Sequence, residues 1–188
     1  MNKLIGFGAS TMQGVGDSQG GFFKRLDAKL AKAGKPRECL NFGIGGNSTS
    51  DMLARFDEVR PHLPNPAIIL LGSNDLPRKR DLWPQNRLSL ADYSTNVKTI
   101  LSDLFHPRTI FVSSFRVCPR RTGIQPETYA EYMGTALKIA ASLRLITWDL
   151  YDESAALGDK YLASDGLHYN DAGHEFVAER LLEMIDAQ

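Results

Sequence analysis

Five short, mostly apolar runs punctuate the chain: Lys3–Phe7, Arg37–Phe42, Pro66–Gly72, Thr109–Ser113 and Leu145–Asp149. In the third, Ala67-Ile68-Ile69-Leu70-Leu71 shows no alternation of apolar and polar positions, as expected of a strand covered on both faces of a parallel sheet. Between the runs the apolar spacing changes to three and four. Leu90, Tyr93, Val97, Ile100, Leu101 and Leu104 make one continuous helical stripe, with Ser89 and Asp92 at its start and Pro107 just past its end. Four more stripes are Phe22/Phe23–Leu26–Leu30, Met52/Leu53–Phe56–Val59, Tyr129–Met133–Ala136–Ala140 and Phe176/Val177–Leu181–Met184. Gly34 followed by Pro36 is a stop for the first of these. Strands alternating with helices of this length predict right-handed crossovers and a doubly wound α/β sheet. Two stretches lack either period, Leu76–Arg87 and Arg116–Pro126. Each directly follows a predicted strand, and both read as surface loops.

No linker, repeat or low-complexity tract divides the 188 residues, so one domain spanning 1–188 is expected. Lysine plus arginine equals aspartate plus glutamate, giving a formal charge of zero and a pI near 6.9. That balance argues against a nucleic-acid or anionic-membrane partner. The longest fully apolar run, Ala67–Leu71, is far too short to span a bilayer, and the first apolar run meets Gly8-Ala9-Ser10 too soon for a signal peptide. Two cysteines, Cys39 and Cys118, are too few for a disulfide framework and read as reduced thiols. Cytoplasmic residence follows as the expectation, although a secreted form after processing would have the same composition. Nothing in the chain speaks to oligomeric state.

Four polar blocks carry the chemistry. Gly8-Ala9-Ser10 follows the first run, Asn41-Phe42-Gly43-Ile44-Gly45-Gly46-Asn47 ends the second, Gly72-Ser73-Asn74-Asp75 ends the third, and Asp165-Gly166-Leu167-His168 precedes the last helix. Ligands of open α/β sheets sit beyond the carboxyl ends of the strands, so the blocks should share one rim. A serine hydroxyl needs an adjacent base to become a nucleophile, and an Asp three residues before a His can fix that base's tautomer. Ser10, His168 and Asp165 are therefore the candidate nucleophile, base and orienting acid.

In this order and spacing the blocks resemble the SGNH hydrolases, the GDSL-type esterases and lipases, from residue 8 to residue 168. The resemblance implies a flavodoxin-like three-layer α/β/α sandwich with a five-stranded parallel sheet in the order 2-1-3-4-5. It further implies an oxyanion hole made by the backbone N–H groups of Ser10 and Gly46 and the side-chain amide of Asn74. A glycine at 46 would leave that backbone open to approach by the oxyanion. The implied activity is hydrolysis of a small-molecule carboxylic ester through an acyl-serine intermediate, without cofactor or metal. Ala9 departs from the family motif, which has Asp at that position, and Met12 excludes the Gly-x-Ser-x-Gly elbow of α/β-hydrolases.

Taken singly, these residues have plainer readings: Ser10 as a cap or turn, the glycines as a strand-to-helix turn, Asn74-Asp75 as a turn with Asp75 bracing it. His174 reads as a helix-packing or capping residue, and His62 and His106 as solvated. No pair of histidines has metal-ligand spacing with carboxylates. Arg78, Lys79, Arg80 and Arg87 in one loop, with Arg120 and Arg121 in the other, are solvated charge on the simplest view. Should both loops flank the cleft, Arg80 and Arg120 become candidate contacts to an anionic substrate group. Two further functions stay open at this point: acyl transfer through the same acyl-serine, and a non-catalytic flavodoxin-like binding domain.

Overall fold

The computed structural model describes residues 3–77 and 88–188. Five strands, β1 (Lys3–Gly8), β2 (Glu38–Gly43), β3 (Ala67–Leu70), β4 (Ile110–Val112) and β5 (Ile146–Trp148), form one all-parallel sheet in the order β2-β1-β3-β4-β5. Both faces are covered, which is why the central strands read as unbroken apolar runs. Ile5, Phe7, Ala67, Ile69 and Phe111 point into a core with α3 (Thr49–Ala54), α4 (Leu90–Asp103) and α6 (Pro126–Ser142). Leu4, Ile68, Leu70, Ile110 and Val112 point the other way, into a core with α1 (Ser10–Gln13), α2 (Gly21–Lys32) and α8 (Asp171–Asp186). No helix among the described residues is long and apolar enough to cross a membrane.

Three segments differ from their sequence reading. The stripe Met52–Val59 is not one helix: α3 ends at Ala54, and two 3₁₀ turns, Phe56–Glu58 and Arg60–His62, carry the chain on. Arg55, at φ −110, turns its side chain inward at the break, and Pro61 occupies the second turn. The loop Arg116–Pro126 contains a one-turn helix, α5 (Pro119–Thr122), opened by Pro119 and closed by Gly123 at φ +71. After β5 the chain makes α7 (Leu150–Glu153) and two further 3₁₀ turns, none of which has a readable period. Cys39 is a half-buried strand residue whose thiol is pushed up to about 12, chiefly by burial, and is therefore inert.

Candidate active site

β1 ends and α1 begins within two residues, so Ser10 stands on the carboxyl rim of the sheet as the first residue of a one-turn helix. Glycines permit this tight return. A Cβ on Gly8 would lie 2.8 Å from the Met12 Cβ and 2.5 Å from the Leu70 carbonyl oxygen, so only a bare backbone lets α1 lie flat on β1. Gly14, at φ +100, ends the turn by donating to the carbonyls of Ser10 and Thr11.

The last polar block reaches the same rim from the far end of the chain. Ala163 N–H donates to the His168 carbonyl at 2.8 Å, and Gly166 N–H to the Ala163 carbonyl at 2.9 Å, closing a compact turn around Asp165. Asn170 anchors the turn: its amide donates to the carbonyls of Lys160 and Leu162, and its oxygen caps α8 at Gly173. Asp165 Oδ1 accepts from the backbone N–H groups of Leu167 (2.9 Å) and His168 (3.0 Å), and Oδ2 lies 2.6 Å from His168 Nδ1. His168 Nε2 in turn lies 2.9 Å from Ser10 Oγ. Burial works against the charge on Asp165, but the hydrogen bonds from the His168 ring and from the Leu167 and His168 backbone outweigh it and hold its pKa below the ordinary value. A proton on Nδ1 is then favoured, leaving Nε2 to accept from the serine hydroxyl.

The two glycine-rich blocks flank Ser10. A Cβ on Gly45 would sit 3.8 Å from the Ser10 Cβ, so the turn after β2 lies directly beside the serine. Gln13 Oε1 accepts from the Gly45 N–H at 2.7 Å, and Asn41 Nδ2 donates to the Met12 carbonyl at 2.9 Å, joining this turn to α1. Gly46 has φ +81, and a Cβ there would meet nothing within 4 Å. Its requirement for glycine therefore includes the left-handed backbone, a constraint the sequence did not reveal. Asn74 Nδ2 donates to the Asn47 carbonyl at 2.9 Å, linking the third block to the second. Ala9, Ser10, Asn74, Ser114 and Leu167 line one small cavity of about 10 Å³. A larger cavity of about 250 Å³ lies elsewhere, between Arg116, Tyr129, Tyr151 and Ser154. Hydrogen-bonded geometry, rather than cavity size, marks Ser10.

Other singled-out residues fall in different places. Arg120 is exposed on α5 and makes no ion pair among the described residues, while Arg80 lies outside them. His174 is fully buried, accepting from the Phe22 N–H at Nδ1 and facing the Val15 carbonyl through Nε2, and burial pushes its pKa down. It joins α2, α8 and the loop between α1 and α2. That loop is also held by Asp17, which accepts from Gly21 N–H and forms a 2.6 Å ion pair with Arg25. Arg25 bonds onward to Glu175 of α8. The Arg25 guanidinium, followed by the Gly21 N–H, holds the Asp17 carboxyl far below the usual range against the cost of burial. No local signal marks these partners, since Arg25 and Glu175 are 150 positions apart.

Among the described residues Asp75 is the one acid that burial pushes the other way, up to about 6, against hydrogen bonds from the Thr49 hydroxyl and N–H. It braces the start of α3 against the third block. Because its folded pKa lies above the ordinary 3.8, Asp75 leaves stability intact below about pH 4 and withdraws it as pH rises to about 6. The shift amounts to roughly 3 kcal/mol. Asp75→Asn should therefore flatten the stability difference between pH 4 and 6, measured as urea midpoints of both proteins. Parallel curves for variant and wild type across that window would contradict the assignment.

Comparison with known proteins gives the family. The model of the GDSL-like lipase/acylhydrolase family matches residues 7–176. The chain belongs to this family. As a GDSL-like hydrolase it is a carboxylic ester hydrolase. Solved structures resemble it over nearly its whole length. A lipase/acylhydrolase from Enterococcus faecalis is 23% identical, with a TM-score of 0.85 over 100% of this chain and 96% of that one. Axe2, an acetylxylan esterase from Geobacillus stearothermophilus, is 21% identical, with a TM-score of 0.80 over 98% and 94%. The acetyl xylan esterase AlAXEase is 21% identical, with a TM-score of 0.79 over 97% and 99%. At these identities the likeness shows the GDSL-like hydrolase fold alone. No curated protein sequence matches the chain.

Proposed function

We propose that this hydrolase cleaves its ester through an acyl-serine intermediate on Ser10. The observation that carries the proposal is the hydrogen-bonded run from Asp165 through His168 to Ser10, at 2.6 and 2.9 Å. In this reading His168 Nε2 takes the hydroxyl proton as Ser10 Oγ attacks the ester carbonyl. A tetrahedral intermediate forms, its oxyanion facing the N–H groups of Ser10 and Gly46 and the Asn74 amide. His168 returns the proton to the departing alcohol, and the C–O bond to that alcohol breaks. Water, deprotonated by the same ring, then releases the acid and regenerates Ser10. Asp165 keeps the Nδ1 proton in place and stabilises the imidazolium without taking a proton itself. The Asn74 amide suits this role because one N–H is spent on the Asn47 carbonyl, which fixes the plane of the other.

Acetyl esters of sugars are a sensible first substrate class, because two proteins of the same fold are acetylxylan esterases. A panel of esters graded in acyl length and including acetylated xylo-oligosaccharides, run beside fluorophosphonate labelling, tests both parts. The label should map by mass spectrometry to the peptide containing Ser10. A rapid-mixing burst with an activated acetyl ester should equal one acyl group per labelled site. A label on another residue, or a folded protein inert to probe and panel alike, would overturn the proposal.

A further inference from the structure

The sharpest unexplained feature of the rim is Arg55. It lies just past α3, at the break where the expected helix gives way to a 3₁₀ turn, and its side chain is only 11% exposed. Its carboxylate neighbour, Glu58, is 3.5 Å away and half exposed. The nearer partners are neutral oxygens. Arg55 Nε donates to Asn47 Oδ1 at 2.6 Å, and one terminal nitrogen donates to the carbonyls of Phe42 at 2.7 Å and Gly8 at 3.2 Å. The guanidinium also lies 5.0 Å from the centre of the Phe7 ring.

Those three oxygens belong to the segments that deliver the proposed oxyanion donors. Gly8 ends β1, two residues before Ser10. Phe42 lies at the end of β2, leading into the turn that holds Gly46. Asn47 follows Gly46, and its carbonyl is the acceptor for the Asn74 amide. We propose that Arg55 is a positioning residue for ester hydrolysis, its single buried guanidinium setting the placement of Ser10, Gly46 and Asn74 relative to one another. The inference rests on the acyl-serine reading and adds to it the means by which the hole is assembled.

Only arginine has the shape for the task. Its planar fork presents five donors in fixed directions, whereas a lysine ammonium is a point charge on a flexible stem and cannot span acceptors on three segments. Burial pushes the Arg55 pKa down, yet a guanidinium stays charged in proteins, so a positive charge is fixed beneath the turn that would face an oxyanion. Placement also matters more than binding strength here, since small misplacements of reacting groups carry large rate penalties.

The test compares wild type, Arg55→Lys, Asn74→Ala and the double variant, with kcat expressed per fluorophosphonate-titrated site. Arg55→Lys should lower kcat about 10- to 100-fold, the cost of displacing a reacting group by an ångström or less, with KM nearly unchanged. In the Asn74→Ala background the same change should cost less, because one of the three groups it places is already gone while Ser10 and Gly46 remain to be displaced. A purely structural arginine would give fewer titratable sites with normal kcat at each, or an equal loss in both backgrounds, and either result overturns the proposal. Should Arg55→Lys fail to fold, Asn47→Ala removes one acceptor of the guanidinium and is measured in the same way. A lower kcat per site supports the inference, and an unchanged one overturns it. Wild type that folds but neither hydrolyses esters nor labels on Ser10 defeats the underlying acyl-serine reading instead.

Discussion

Ser10→Ala is expected to fold like the wild type and to lose ester hydrolysis by a factor on the order of 10⁶, the cost of removing the nucleophile from a unit that works only when whole. The fold should survive because the Ser10 hydroxyl bonds to His168, while the helix turn is held by backbone groups that alanine retains. Melting temperature and far-ultraviolet circular dichroism check the first half. Hydrolysis of the best ester on the panel and disappearance of the fluorophosphonate label check the second. Residual activity within a hundredfold of wild type would move the nucleophile elsewhere.

Asp165→Asn should also be severe, down to ~10⁻⁴ of the wild-type kcat, although it changes almost no shape. Asparagine can keep its Oδ1 on the N–H groups of Leu167 and His168, so the compact turn should hold. Its amide would then face His168 Nδ1 with a donor where a carboxylate oxygen stood. The ring answers by moving its proton to Nε2, the atom that must accept from Ser10. Fluorophosphonate labelling should slow in step with hydrolysis, because both need the same deprotonation. If the variant retained a tenth or more of the wild-type rate, Asp165 would be a turn former and some other group would orient the imidazole.

Much of this architecture was legible because its signals are local. Each strand is a compact apolar run, each long helix a stripe with recognisable ends, and the polar blocks follow the strands whose rim they occupy. Less visible was whatever depends on a single residue meeting a distant partner. Arg55 looks like any arginine at a helix end, and nothing nearby says that it bonds to Gly8, 47 positions earlier. Asp17, Arg25 and Glu175 form a network on the same terms. The one-turn helices α5 and α7 are shorter than the window in which a period can be recognised, so proline and glycine at α5 read simply as loop. The family resemblance marks Gly46 for its openness to approach, whereas its positive φ becomes visible only with the backbone in place.

The hydrogen bond between Ser10 and His168 joins positions 158 residues apart, with β1 in the interior of the sheet and His168 next to the final helix. On the proposed chemistry, a chain leaving the ribosome exposes its nucleophile long before it possesses a base. At about 5–20 residues per second that interval is roughly 8–30 s, during which Ser10 is an ordinary alcohol. All five strands can have been synthesised while esters in the surrounding solution remain untouched. On that reading hydrolysis begins only once His168 has itself been made and brought to the rim beside Ser10, so catalytic competence reports that the two distant segments have met.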